Sequence, residues 1–169
     1  SCTYNFDLNI NFNPRKKILM SGIVNEYYPH REEIMHNYNN NEYFKSLITN
    51  LDRNYAKKHN ILKKKYAQLI NEHIACLVAP GVCDGDYFIV KKFFEIPCTG
   101  SLLLIFTDEK SIDDINKIGF INKKNCIIAT NFKDLLDQIK FILNDSNRDI
   151  IDVIRKNGKK FVLENYMVD

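Results

Sequence analysis

Hydrophobic positions along this chain fall into two patterns that alternate. The first is a short, nearly unbroken apolar run: Lys17-Ile18-Leu19-Met20, Ile74 to Ala79, Leu102 to Phe106, and Asn125 to Ala129. Runs of that length, closed by turn residues such as Ser21-Gly22 and Pro80-Gly81, predict strands buried on both faces. The second is apolar spacing at three and four residues. It predicts a helix from Arg31 to about Asn50, entered through Pro29 and interrupted by the polar stretch 37–41. It predicts another over Ile61 to His73, with Ile61, Leu62, Tyr66, Leu69 and Ile70 on one face. A third runs from Tyr87 to Cys98, distorted by Pro97 and closed at Thr99-Gly100. A short helix covers Ser111 to Ile118. Asn131 caps the next, which carries Phe132, Leu135, Leu136, Ile139, Ile142 and Leu143. The last carries Ile150, Ile151, Ile154, Phe161 and Val162, with Gly158 inside it.

Strands alternating with helices predict an α/β fold: βαβ units, a mostly parallel sheet, and helices on both faces. The expected organisation is a linker-like N-terminal tail over residues 1–15 and one Rossmann-like domain over 16–169. A length of 169 residues suits one domain with a sizeable core. With 45% hydrophobic and 27% charged residues, the chain is neither disordered nor a disulfide-stapled mini-protein. The net charge of +3 is too balanced to argue for a nucleic-acid partner. The lysines at 57–58 and 63–65 read as the solvated face of a helix. No apolar run reaches the length of a membrane span, and the polar start carries no signal-peptide pattern, so the expected location is the cytoplasm. The five cysteines, Cys2, Cys76, Cys83, Cys98 and Cys126, include no CxxC pair. Cys76, Cys98 and Cys126 read as small core residues, and a reducing compartment fits.

Ligands of open parallel sheets bind beyond the carboxyl ends of the strands. Three segments are expected at that edge: Ser21 to Arg31, Pro80 to Asp86, and the helix carrying Lys91, Lys92 and Glu95; the turn after the Leu102–Phe106 strand ends there too. Gly85 and Tyr87 are expected to open that helix, whose free N–H groups would favour an anion. Arg31 and Lys92 suit a phosphate, and Glu95 suits the vicinal hydroxyls of a ribose. Plainer readings stand beside these. Lys91, Lys92 and Glu95 have the spacing of a surface ion pair, Arg31 fits a first helical turn, and Asp84 and Asp86 fit a turn. His36, His59 and His73 read as structural or solvent-facing, whereas His30 lies on the candidate edge. The chain holds no GxGxxG fingerprint and no Walker sequence. No ligand spacing for a metal occurs, so neither metal nor cofactor is expected.

The segment Lys91-Lys92-Phe93-Phe94-Glu95-Ile96-Pro97-Cys98-Thr99-Gly100-Ser101-Leu102-Leu103-Leu104 resembles the donor-site segment of GT-B glycosyltransferases. The likeness is to the family 1-like group that includes CgeB-type proteins. Leu19-Met20-Ser21-Gly22, followed by Tyr28-Pro29-His30-Arg31, resembles that group's opening. Ala129 to Tyr166 resembles its C-terminal tail. The resemblance implies the C-terminal half of a two-domain enzyme. Such a half binds a nucleotide sugar linked to UDP, GDP or dTDP, while an N-terminal domain, in cis or in trans, binds the acceptor. It implies a donor site made of Ser21, Gly22, Arg31, Gly85, Tyr87, Lys92 and Glu95, with Glu95 on the ribose and no bound metal. The position eight before Glu95, an acidic residue in many retaining members, is Tyr87 here. That leaves the stereochemical outcome open, and no catalytic residue is assigned. The alternative is a catalytically inactive, glycosyltransferase-like interaction module. A flavodoxin- or receiver-like protein is disfavoured: no early acidic cluster and no Ser/Thr-rich phosphate loop follows the first strand.

Overall fold

The computed structural model describes residues 6–22, 24–52, 57 and 63–166. Cys2, Ile23, His59, Ile61 and Leu62 lie outside the described residues. In chain order the elements are β1 (Arg15–Ser21), α1 (Pro29–Asn40), α2 (Glu42–Leu47), β2 (Ile48–Leu51), α3 (Lys63–Glu72) and β3 (His73–Val78). There follow β4 (Gly81–Cys83), β5 (Asp86–Phe88), α4 (Lys92–Cys98) and β6 (Leu102–Phe106). A 3-10 turn then leads to α5 (Ile112–Ile118), β7 (Ile127–Ala129), α6 (Phe132–Leu143) and α7 (Arg148–Asn165).

Five strands form one sheet in the order β2-β1-β3-β6-β7, every pairing parallel. Strand alternation sorts the core into two layers. Ile18, Met20, Leu102, Leu104 and Phe106 face one side, with Ile34, Phe44, Leu135 and Ile139 from α1, α2 and α6. Leu19, Leu103 and Ile105 face the other, with Ala67, Ile70, Phe93, Ile96 and Ile115 from α3, α4 and α5. This is the expected three-layer α/β domain. Cys76, Cys98 and Cys126 are buried in it, and Cys83 is exposed. Asn131 caps α6 as read, its side chain accepting from the Asp134 amide at 2.8 Å.

Two segments differ from the sequence reading. The helix expected to reach Asn50 stops at Leu47, and Ile48–Leu51 is an edge strand in register with Ile18–Ser21. Tyr87 does not begin a helix either. Gly81–Cys83 and Asp86–Phe88 form an antiparallel hairpin, and α4 begins only at Lys92. Asp84 (φ 52°) and Gly85 (φ 84°) make the two-residue turn between them, both left-handed as such hairpins demand.

Residues 6–13, within the stretch read as linker-like, lie against the domain. Phe6 is buried with its ring edge-on to Tyr66, and the Asn9 carbonyl accepts from Asn71 at 2.8 Å. Arg155, fully buried on α7, reaches the Asn11 carbonyl at 2.6 Å. The segment therefore runs from the amino edge of the sheet, where β1 begins, to the carboxyl edge beside Tyr66.

Candidate functional site

In a doubly wound sheet the natural crevice opens where neighbouring strands connect in opposite directions. Here β1 connects outward to β2 on one side, while β2 crosses back through α3 to β3 on the other. The switch point therefore lies between the carboxyl ends of β1 and β3. A small cleft sits there, lined by Ser21 and Gly22 at the end of β1, Val78 and Ala79 at the end of β3, Asn50 of β2, and Arg31 of α1. Its enclosed space of about 20 Å3 is the room of one water, so anything larger lies across the open edge.

Two cations converge on this point. A Cβ built on Gly22 would stand 2.8 Å from the Arg31 guanidinium and 2.9 Å from Lys92 Nζ. Gly22 also holds φ +129°, so both conformation and space call for glycine. The Arg31 guanidinium stacks 3.8 Å from the centroid of the Tyr28 ring. Lys92, the first residue of α4, reaches over the end of β1. Its ammonium donates to the Ser21 carbonyl at 2.7 Å and to the Ser21 hydroxyl at 3.1 Å. That hydroxyl meets the Tyr66 hydroxyl at 2.8 Å.

The electrostatics follow from crowding. Burial is the main cause that lowers the Lys92 pKa to about 8, and the neighbouring Arg31 charge lowers it further. Glu95, one turn along α4, offsets part of that. Burial also lowers the Arg31 pKa, and raises that of the Tyr66 phenol, which keeps its proton throughout the physiological range. A spot where two neighbouring cations are both held against their ease of protonation is stabilised by an anion.

A second cluster stands beyond β6. Asp108, just past the strand end, accepts from the Tyr87 hydroxyl, and its carboxylate lies 3.5 Å from His30 Nε2. The His30 ring stacks parallel to that of Tyr87, with centroids 6.4 Å apart. Asp108 also caps the 3-10 turn, accepting from the Lys110 amide at 3.0 Å. One carboxylate thus ties the start of α1 and the β4–β5 hairpin to the end of β6. Burial, then the bond to Asp108, pushes the Tyr87 pKa up to about 12.

The structure brings Ser21, Gly22, Arg31 and Lys92 together, with Glu95 one turn behind. It separates Gly85 and Tyr87 from that group. Gly85 is the exposed tip of the hairpin, and Tyr87 lies in β5 against His30 and Asp108. The expected anion site at a helix opened by Gly85 and Tyr87 is therefore corrected: α4 starts at Lys92, and its opening carries no side-chain cap. Sequence reasoning missed Asp108 and the polar role of Tyr66. Among the other histidines, His73 is buried and bonded to the Leu69 carbonyl at 2.7 Å, while His36 is exposed. Among the described residues no three His, Cys, Asp or Glu side chains are grouped to hold a metal ion. No helix among them is long and apolar enough to cross a membrane.

Comparison with solved structures places this architecture. The C-terminal domain of a glycosyl transferase group 1 family protein, LpcC, from Francisella tularensis matches with a TM-score of 0.62 at 11% identity, over 97% of both chains. TarM matches with a TM-score of 0.56 at 11% identity, over 95% of this chain and 35% of that one. The chain thus spans about a third of TarM. The fold is that of a GT-B C-terminal domain, as the sequence led one to expect. No family model matches the chain, and no curated protein does.

Proposed function

We propose that this chain is the donor-binding domain of a glycosyltransferase. It holds a nucleoside diphosphate sugar across the carboxyl edge of its sheet. The observation that carries this reading is the meeting of Arg31 and Lys92 over Gly22, at the switch point of a sheet with this fold. The diphosphate lies against these two cations and the Ser21 hydroxyl, and Glu95 takes the ribose hydroxyls. As the bond from the anomeric carbon to the diphosphate breaks, the charge gathering on the leaving oxygen is stabilised by the two fixed cations. The group needs no metal for that role. Transfer itself requires a second, acceptor-binding domain facing this edge, supplied in cis or in trans.

The test is calorimetric titration of the protein with UDP, GDP and dTDP and with sugar conjugates of each. One of these is expected to bind, and Glu95→Ala is expected to weaken it by about 1–3 kcal/mol, the cost of losing a hydrogen-bonded carboxylate. No binding at millimolar nucleotide refutes the reading. Equal affinity in Glu95→Ala removes the ribose assignment alone. The module without catalysis is favoured if a protein partner binds this edge and nucleotides do not.

A further inference from the structure

The sequence places Tyr66 on the apolar face of α3, yet its hydroxyl is spent on the site. Its ring is fixed by Phe6, edge-on at 6.2 Å between centroids, and its hydroxyl stands 2.8 Å from Ser21 Oγ. The same Ser21 oxygen accepts from Lys92 at 3.1 Å. A serine hydroxyl has two lone pairs and one proton. If Lys92 and Tyr66 both donate to it, both lone pairs are filled. The serine proton is then the one group left to give, and Ser21 lines the cleft.

We propose that Tyr66 is a positioning residue of this site: with Lys92 it turns the Ser21 hydroxyl into a dedicated donor to a diphosphate oxygen. This rests on the anion-binding reading above and adds to it a residue that touches no ligand. The seating of Phe6 on Tyr66 further joins the segment 6–13 to the anion site through one continuous chain of contacts: Phe6, Tyr66, Ser21, Lys92.

The experiment is a double-mutant cycle on the full chain, titrated with inorganic diphosphate and separately with UDP. Tyr66→Phe keeps the ring on Phe6 and deletes only the hydroxyl. It is expected to weaken diphosphate about 3–10-fold, the ordinary worth of one hydrogen bond. Ser21→Ala is expected to weaken it at least as much, and adding Tyr66→Phe to Ser21→Ala to change nothing further. If the loss in Tyr66→Phe recurs in full on the Ser21→Ala background, or if Tyr66→Phe binds as tightly as the parent, the proposal is overturned. In the latter case Ser21 donates to Tyr66 rather than to the ligand. If the parent binds inorganic diphosphate but no nucleotide, the nucleotide-sugar reading falls, and the cycle still decides the role of Tyr66. If it binds neither, both are refuted.

Discussion

The two ends of the sheet each hold basic side chains, buried at one and half-buried at the other, and they are treated in opposite ways. At the amino edge, Arg155 is 1% exposed and each of its three guanidinium nitrogens has an acceptor. Nε donates to the Gly100 carbonyl at 2.9 Å, Nη2 to the Asn11 carbonyl at 2.6 Å, and Nη1 to the Asp152 carboxylate at 2.9 Å. At the carboxyl edge, Lys92 bonds to the neutral oxygens of Ser21, with a second cation beside it. The first arrangement closes a structure by joining α7, the entry to β6 and the N-terminal segment. The second leaves positive charge concentrated where the fold opens. Charge satisfied inside the protein is architecture, whereas charge crowded at a crevice is where the proposed anion would be received.

That contrast breaks first at Arg155. Arg155→Met leaves the buried Gly100 carbonyl, and the half-buried Asn11 carbonyl and Asp152 carboxylate, without their donor. Loss of one partner from a buried charged network costs about 3–5 kcal/mol. Denaturant unfolding should show that loss, along with exposure of the N-terminal segment to protease. Nucleotide binding by the fraction that remains folded should be unaffected. A loss under 1 kcal/mol would place Arg155 with the ordinary surface cations and remove the comparison.

Lys92→Met is expected to do the reverse. It removes a charge that burial disfavours, so stability should hold or rise, while affinity for a diphosphate falls about 10–100-fold, the scale of a charge-assisted hydrogen bond. pH sharpens the same point. With a folded pKa of about 8 against an ordinary 10.5, Lys92 binds fewer protons folded than unfolded between those values. In that window its contribution to stability therefore rises with pH. Anion affinity moves oppositely: the ammonium is lost as pH climbs through 8, so binding weakens and takes up a proton. Titration at pH 7, 8 and 9 in buffers of different ionisation heat reads both. A flat profile in the parent, equal to that of Lys92→Met, would show that Lys92 faces no anion.

The same contrast explains what could be read in advance. Central strands announced themselves, because a parallel strand covered on both faces is continuously apolar, as Leu102–Phe106 is. The edge strand did not. Ile48 and Leu51, its two buried residues, stand three apart, a spacing equally helical, and pairing with β1 decided the matter. The hairpin carried its mark in Asp84-Gly85, the residue pair that favours a tight two-residue turn, but the apolar residues beyond it fit helical spacing as well. The N-terminal segment carried one too: Phe6, Leu8, Ile10 and Phe12 alternate as an extended strap does. At the site, Arg31 and Lys92 were legible as cations expected at one sheet edge, and the fold brings both to Gly22. Asp108 and Tyr66 were not. Their roles depend on which strand end and which helix turn lie opposite, and that is fixed by strand order.

Between the two extremes lies the cluster beyond β6, a carboxylate half in solvent that ties the hairpin to α1. Asp108 keeps the Lys110 and Ser111 amides whatever happens at Tyr87, and the His30 and Tyr87 rings stay stacked without the phenol oxygen. Tyr87→Phe therefore removes one hydrogen bond whose acceptor is 38% exposed and can be served by water. The expected cost is about 1 kcal/mol or less, concentrated in the hairpin, and amide exchange at Val82 and Phe88 should accelerate while β6 stays protected. A raised phenol pKa gives the sign at high pH. Tyr87 holds its proton to about 12 in the fold and to 10 when unfolded, so its bond supports the structure below 10 and is lost as pH rises through 12. Tyr87→Phe should remove that alkaline limb of the unfolding curve. If instead it loosens α1 and weakens diphosphate binding as much as Lys92→Met does, the two clusters form one site, and Asp108 belongs to the ligand rather than to the hairpin.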